Sequence, residues 1–303
     1  MRKIILLLIL LFLTTGCAEQ EEEEEMENFS MEELEDEFPE PLIEKVEEKY
    51  TKTEPALMDL GDFEIVYGET QNPWYAQLNE LVKNSHVFDK VADFLNVILV
   101  LQEDFPIIFK ECGFVNAYYN PLEKEIVLCD ELLENFAYNF AYFVSTEEDL
   151  DTAITDATYF ILFHELGHGF IDIYNITYSG REEDVADQLS TIILVNLGEE
   201  GVRAAITGAN FFYITSMQKD VSNYPFWDEH ALDEQRYYNI LCWVYGSDPE
   251  KYNDFVGDYG LPMERAVRCQ REYEKMSQFW DIAINPYVKE EIKELTEQEE
   301  QAK

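Results

Sequence analysis

The sequence predicts an α+β fold, with a small antiparallel hairpin region followed by a mainly α-helical domain. Two observations support this fold class. Short apolar runs bounded by turn residues lie early in the chain, whereas after residue 130 apolar residues recur at helical spacing almost throughout. The chain has 303 residues, of which 47% are hydrophobic, so it can bury a substantial core.

The expected sheet region follows a first predicted helix. Apolar residues at helical spacing place that helix over residues 74–101. Short strands are then predicted over residues 105–109, 114–119 and 125–128. The Asn120-Pro121 pair is typical of a turn, so the last two strands should form a hairpin.

Helices are expected to follow the hairpin. Ser145 and Thr146 can cap a helix that has acidic residues in its first turn and runs to about Ile173. The charged stretch after Pro286 is expected to fray. Further helices are predicted over residues 181–197, 201–218, 231–245 and 262–283.

The first 17 residues resemble a bacterial export signal. Arg2 and Lys3 precede an apolar run over residues 4–13, which is too short to span a bilayer but suits a signal peptide. The Gly16-Cys17 ending is similar to a lipoprotein box, although Thr14 stands where that box usually has Leu. We therefore expect an exported lipoprotein, anchored in the membrane through lipidated Cys17 on the extracytoplasmic side. An uncleaved N-terminal anchor would give the same location.

Acidic residues far outnumber basic ones and are densest near the start of the chain. The protein has 64 acidic and 21 basic residues, a formal net charge of −43, which argues against nucleic acid as a partner because phosphate would be repelled. Acidic residues are densest near the start, so residues 18–45 should form a disordered tether. The predicted folded domain covers residues 46–290, and 291–303 form a charged tail.

Four cysteines remain after Cys17. An even number in an exported protein predicts two disulfides. We favour the pairs Cys112–Cys129 and Cys242–Cys269, because each pair brackets one local segment. A zinc site made of all four cysteines is the alternative, although the chain has no close C-x-x-C pair among them.

The segment His164-Glu165-Leu166-Gly167-His168 is the strongest functional signal. On a helix, two histidines four residues apart project from one face and can share a tetrahedral metal ion. Glu165 then lies beside a metal-activated water molecule, where its carboxylate can take the proton. The alternative is a helix with two ordinary histidines, but the preceding apolar run, residues 159–163, favours buried rings that a metal would satisfy. A third histidine, His86, has no pattern around it and is expected to be structural.

A third protein ligand is expected in the segment Glu183-Asp184-Val185-Ala186-Asp187. Glu183 can complete a set of two histidines and one glutamate, which is typical of catalytic zinc. Asp187, one helical turn later, can accept a hydrogen bond from a ligand histidine and fix its tautomer. Asp184 and Glu182 are the other candidates for the ligand, and the segment is also an ordinary acidic helix start.

Together these residues resemble the gluzincin class of zinc peptidases, in which a His-Glu-x-x-His motif is followed by Glu-x-x-x-Asp. Asn116-Ala117-Tyr118-Tyr119 is similar to the edge strand with which thermolysin-like enzymes hold a substrate backbone. Residues 112–287 resemble a family of secreted bacterial metallopeptidases with a zincin-like domain. The family's hallmarks are matched at residues 112–119, 164–168 and 228–236.

The resemblance implies roles for further residues. Asn116 and Ala117 would hydrogen-bond an extended peptide. His230 would donate a hydrogen bond to the oxyanion of the reaction, and Arg236 would support the same charge or bind a substrate carbonyl. The alternative for both is a helix-capping segment, with Arg236 in a surface ion pair.

The sequence thus predicts an exported, lipid-anchored zinc metallopeptidase with Zn²⁺ on His164, His168 and Glu183. Its partners would be a peptide or protein substrate and the membrane, but not nucleic acid. Three alternatives stay open: a binding lipoprotein without turnover, a structural zinc domain, and a zinc hydrolase of a non-peptide amide.

Overall fold

A computed structural model describes residues 58–219, 227–257 and 260–301. The predicted export signal, the lipidation site Cys17 and the acidic tether lie outside these residues. Within the described ranges, no helix is both long and apolar enough to cross a membrane.

Four strands form one mixed sheet, in the order β1-β2-β4-β3. The strands are β1 (Phe63–Tyr67), β2 (Phe105–Lys110), β3 (Ala117–Asn120) and β4 (Glu125–Cys129). The predicted hairpin is confirmed as the antiparallel pair β3 and β4. Within this sheet the antiparallel pairing is limited to the hairpin, because β1 pairs with β2, and β2 with β4, in parallel.

The parallel pairing follows from a strand that the sequence analysis missed. The chain between β1 and β2 forms two helices, and a crossover of that length is what a parallel pair needs. These helices are α1 (Pro73–Ser85) and α2 (Val87–Ile98). The helical prediction over residues 74–101 is confirmed for most of its length, with a break at His86, whose backbone is left-handed, with φ 55°. His86 therefore ends α1, which suits its expected structural role.

The remaining helices follow the sheet, and the α+β class is confirmed. They are α3 (Asp130–Phe140), α4 (Glu147–Ile173), α5 (Glu182–Asn196), α6 (Glu199–Ser216), α7 (Asp233–Ser247), α8 (Met263–Ala266), α9 (Cys269–Ile284) and α10 (Glu290–Gln301). The start of α4 is as expected, since the Thr146 side chain accepts a hydrogen bond from the Asp149 N–H. The predicted helix over 262–283 is divided into α8 and α9.

Helix α10 occupies the stretch that was expected to fray. Ile292 and Thr296, one turn apart, are buried, and the Lys289 N–H binds the Ile98 carbonyl at the end of α2. Packing against the domain therefore orders a segment whose charge suggested a loose tail.

Helix α4 is the centre of the domain and carries the His-Glu-x-x-His segment. Phe160, Leu162 and Leu166 are fully buried on different sides of it, as expected for a helix surrounded by other elements. Gly167 allows α5 to approach closely, because a Cβ there would lie 2.8 Å from the Ala186 Cα. Gly169 gives the same room to Phe105 of the sheet.

Both predicted disulfides are present. Cys112–Cys129 ties the loop before β3 to the end of β4, and Cys242–Cys269 ties α7 to α9. All four cysteines are used in these bonds, so none offers a thiolate to a metal. The four-cysteine zinc site is therefore excluded.

Candidate metal centre

The two histidines of α4 converge as the spacing predicts. His164 Nε2 lies 3.3 Å from His168 Nε2, because residues four apart face the same side of a helix. His164 is 3% exposed, and the His168 side chain is also largely covered. Two imidazole nitrogens thus meet in a place with little access to water.

Glu183 completes this cluster from the first turn of α5. Its Oε2 lies 3.2 Å from His164 Nε2 and 3.5 Å from His168 Nε2. The three candidate ligand atoms all lie within 4.8 Å of one another, a span that one metal ion can bridge. The structure therefore brings together the three residues that the sequence selected.

The chemistry of the cluster fits a cation. Glu183 Oε2 is buried, yet none of its contacts has hydrogen-bond geometry. Burial alone would raise the pKa of Glu183, but the surrounding imidazoles of His164, His168 and His230 hold it well below its usual range. A buried carboxylate without a hydrogen bond is costly, and a metal ion shared with the two histidines would satisfy it.

A carboxylate lies within hydrogen-bonding distance of the Nδ1 atom of each histidine of α4. Asp187 Oδ1 lies 2.8 Å from His164 Nδ1, and Glu182 Oε1 lies 2.8 Å from His168 Nδ1. A carboxylate can only accept, so each Nδ1 donates and each Nε2 faces Glu183. Asp187 is where the sequence placed it. Glu182 was a candidate metal ligand from the sequence. It instead binds His168 Nδ1 and accepts a second hydrogen bond from the Tyr178 hydroxyl.

Asp187 is in turn held by Arg236. The guanidinium donates from Nε to Oδ2 at 2.8 Å and from Nη2 to Oδ1 at 2.7 Å, and it packs on the Phe212 ring. Burial would raise the pKa of Asp187, but Arg236 and His164 hold it well below its usual range. Two of its nitrogens are engaged by Asp187. Arg236 also lines the cavity of the site, so its expected contact with a substrate carbonyl or an oxyanion stays a prediction.

Glu165 lies beside the cluster but outside it. Its Oε2 accepts a hydrogen bond from the Tyr119 backbone N–H at 2.9 Å. Tyr119 belongs to β3, which is the edge strand of the sheet. Glu165 is therefore held next to the three candidate ligand atoms without being one of them. This is the position that a general base needs.

The site opens into a cavity of about 650 Å³. Asn116, Ala117, Glu165 and His230 all line it, so the residues expected to hold substrate face the same space as Glu165. The Asn116 carbonyl accepts from the Cys129 N–H of β4. Because hydrogen bonds alternate along an antiparallel strand, the backbone groups of Ala117 then point away from the sheet.

His230 approaches the cluster from the opposite side. Its Nε2 lies 2.9 Å from Glu183 Oε2. Asp228 Oδ1 accepts from the His230 backbone N–H at 2.9 Å and lies 3.0 Å from Nδ1, which orients the ring. Sequence reasoning missed Asp228, although an acidic residue two places before a candidate histidine was a usable signal.

Comparison with known proteins decides the family. A family model described as "Putative metallopeptidase" matches residues 67–284, which is more than half of the chain. The chain belongs to this metallopeptidase family. No curated protein and no solved structure matches it significantly.

The matched region contains the entire site. It includes β3, both histidines of α4, the start of α5 and Arg236. Two imidazoles, one carboxylate, a second carboxylate beside them and an open cavity are the parts that metal-assisted hydrolysis requires.

Proposed function

We propose that this metallopeptidase is a zinc enzyme that hydrolyses peptide bonds. One observation carries the proposal: two imidazole nitrogens and one carboxylate oxygen lie within 4.8 Å of one another, with Glu165 beside them at the wall of an open cavity. His164, His168 and Glu183 would hold the ion. This set is one that catalytic zinc accepts with a coordination position left open.

The metal and the protein have separate tasks. Zinc supplies a Lewis acid that polarises the scissile carbonyl and acidifies a water molecule. Asp187 and Glu182 keep the two histidine rings in the tautomer that ligates. Arg236 keeps Asp187 ionised and fixed, so it acts as a positioning residue.

Glu165 is the proposed general base. It takes a proton from the attacking water and then delivers it to the leaving amine. The Tyr119 N–H holds its carboxylate, so the base is aimed before substrate arrives. A preorganised base loses little free energy to reorientation during the reaction.

The substrate is proposed to bind as an added strand along β3. The outward-pointing backbone groups of Ala117 can pair with an extended peptide, and the Asn116 side chain lines the same cavity. His230, oriented by Asp228, can donate from Nε2 to the oxygen on which negative charge develops. These roles are the ones that the resemblance implied.

We also propose that the enzyme is exported and anchored through lipidated Cys17. The two disulfides support an oxidising compartment, because such bonds are rare in reducing ones. The net charge of −43 supports a partner other than nucleic acid.

A charge-neutral substitution of the base tests the proposed reaction. Glu165→Gln should keep wild-type zinc content and lose nearly all cleavage of a peptide library, by roughly a thousandfold or more. Glu148→Gln is the matched control, because Glu148 is exposed at the start of the same helix. It should behave as wild type in both measurements.

The outcomes separate the alternatives. Full activity of Glu165→Gln would contradict the mechanism. Stoichiometric zinc in a wild-type protein that cleaves no peptide would favour a binding module or a structural zinc domain. Cleavage of a non-peptide amide alone would keep the mechanism and change the substrate.

A further inference from the structure

We propose that Tyr119 is a positioning residue that locks the edge strand β3 to helix α4 and thereby sets the place of Glu165. The proposal rests on the proposed function of Glu165 as the base. The Tyr119 hydroxyl itself lies outside the cluster of candidate ligand atoms.

Tyr119 contacts α4 at two points. Its backbone N–H donates to Glu165 Oε2 at 2.9 Å, and its hydroxyl donates to Asp172 Oδ2 at 2.7 Å. Glu165 and Asp172 are seven residues apart, so they lie on the same face of α4, about 10 Å from each other along its axis. One residue of the strand thus spans two turns of the helix that carries the metal site.

The tyrosine ring is fixed between these two contacts. It stacks on Phe105 with ring centroids 5.8 Å apart and an interplanar angle of 4°. On the helix, Gly169 leaves room for the Phe105 ring on which Tyr119 stacks: a Cβ there would lie 2.7 Å from Phe105 Cζ. Lys124, from the turn after β3, also binds Asp172 through its ammonium group. Asp172, the acceptor of the Tyr119 hydroxyl, is therefore itself held in place.

This arrangement links strand position to the base. If the hydroxyl contact is lost, the ring and strand can shift along α4, and the N–H that aims Glu165 shifts with them. Asp172 does not line the cavity, so loss of this contact removes no direct contact with substrate. Displacement of a catalytic group by about 1 Å can cost up to a hundredfold in rate.

Removal of the hydroxyl alone tests the proposal. In the zinc-loaded enzyme, Tyr119→Phe should lower kcat about tenfold and should change KM less than kcat, because the displaced N–H belongs to the residue that aims Glu165. Zinc content should not change. Tyr138→Phe, which removes a hydroxyl from an exposed side chain on α3, is the matched control and should keep wild-type kcat.

The Asp172 side of the contact gives a second test. Asp172→Ala should lower kcat like Tyr119→Phe, and the double variant should fall no further, because both substitutions remove one contact. Additive losses, or an unchanged kcat in Tyr119→Phe, would overturn the proposal. So would an equal loss in Tyr138→Phe.

Amide hydrogen exchange makes the test independent of turnover. The amide of residue 119 should exchange about tenfold faster in Tyr119→Phe than in wild type, because its hydrogen bond to Glu165 opens more often. An unchanged exchange rate would contradict the locking role. A wild-type protein that cleaves nothing would instead contradict the proposed function, while the exchange experiment would still decide on the contact.

Discussion

Arg236 binds both carboxylate oxygens of Asp187, 49 positions earlier in the chain. Both side chains are buried, and Asp187 also holds His164. Arg236 thus compensates a buried charge and orients a candidate metal ligand through Asp187. Stability and metal affinity should depend on the same ion pair.

The first prediction concerns Arg236→Met. Loss of the guanidinium leaves Asp187 buried without its main counter-charge, so the free energy of unfolding should fall by about 3–5 kcal/mol. Zinc affinity should fall about 10- to 100-fold, because the partner of a ligand histidine loses its support. Chemical denaturation and competition with a chelator measure the two effects.

Arg203→Met is the matched control. Arg203 also binds a buried aspartate through two nitrogens, at 2.8 Å and 3.1 Å, but its partner is Asp156, two turns before His164 on α4. This variant should lose stability and keep wild-type zinc affinity. Equal loss of affinity in both variants would show that Arg236 acts only through overall stability.

The second prediction concerns the contact between α4 and α5 at Gly167. In Gly167→Ala, the new Cβ would lie 2.8 Å from the Ala186 Cα and 3.1 Å from its Cβ. The two helices must separate, which should cost about 1–3 kcal/mol. Glu183, on the same helix as Ala186, should move away from the histidines, so zinc affinity should fall.

Gly208→Ala provides the comparison for this prediction. Its Cβ would meet the Phe160 ring at 2.4 Å, at a helix contact that contains none of the proposed ligands. We expect loss of stability with normal zinc affinity, measured by the same two methods. Normal affinity in Gly167→Ala would argue against a link between this helix contact and the metal centre.

The site residues that the sequence predicted depend on local spacing. His164 and His168 must share a face once their segment is helical, and the same holds for Glu183 and Asp187. No other part of the chain is needed to place the members of each pair. The disulfide pairs were also local, since their cysteines are 17 and 27 positions apart.

What the sequence missed depends on contacts between distant segments. The sequence did not predict that Arg236 binds Asp187 or that Glu182 binds His168, because sequence alone does not show which carboxylate lies next to which cation or ring. Strand β1 pairs with a segment about 40 positions later, and α10 is ordered by packing against the end of α2. Tertiary contacts of this kind override local composition.

The third prediction concerns the disulfide at the hairpin. Replacing Cys112 and Cys129 together with alanine should lower the free energy of unfolding by about 3 kcal/mol, because the open loop gains entropy in the unfolded chain. The bond also holds the loop before β3 to the end of β4. A looser edge strand should bind an extended peptide less well, so KM should rise.

The second disulfide is the control for that prediction. Cys242 and Cys269 join α7 to α9, away from the edge strand, and their replacement with alanine should cost a similar free energy without a change in KM. Peptide-cleavage kinetics and denaturation of both double variants make the comparison. A rise in KM in both would point to general loosening of the domain.

The last prediction concerns a buried carboxylate far from the metal centre. Asp130, the first residue of α3, is completely buried and accepts a hydrogen bond from the Asn79 side chain at 3.3 Å. Its Oδ1 and the Asn79 Oδ1 have no hydrogen-bond partner. Burial, with a smaller contribution from the nearby charges of Glu131 and Glu111, raises the pKa of Asp130 to about 7.

Stability should therefore decrease between about pH 4 and pH 7 because of Asp130. In that range the folded protein keeps a proton that the unfolded chain, with an aspartate pKa near 3.9, has released. The stabilisation of the fold by protonated Asp130 is fully present below about pH 4 and is lost by about pH 7. It amounts to about 2–4 kcal/mol. Asp130→Asn should remove this slope in urea denaturation at saturating zinc, whereas Asp93→Asn, at an exposed position, should keep it. An identical slope in wild type and Asp130→Asn would show that the folded protein holds Asp130 ionised throughout.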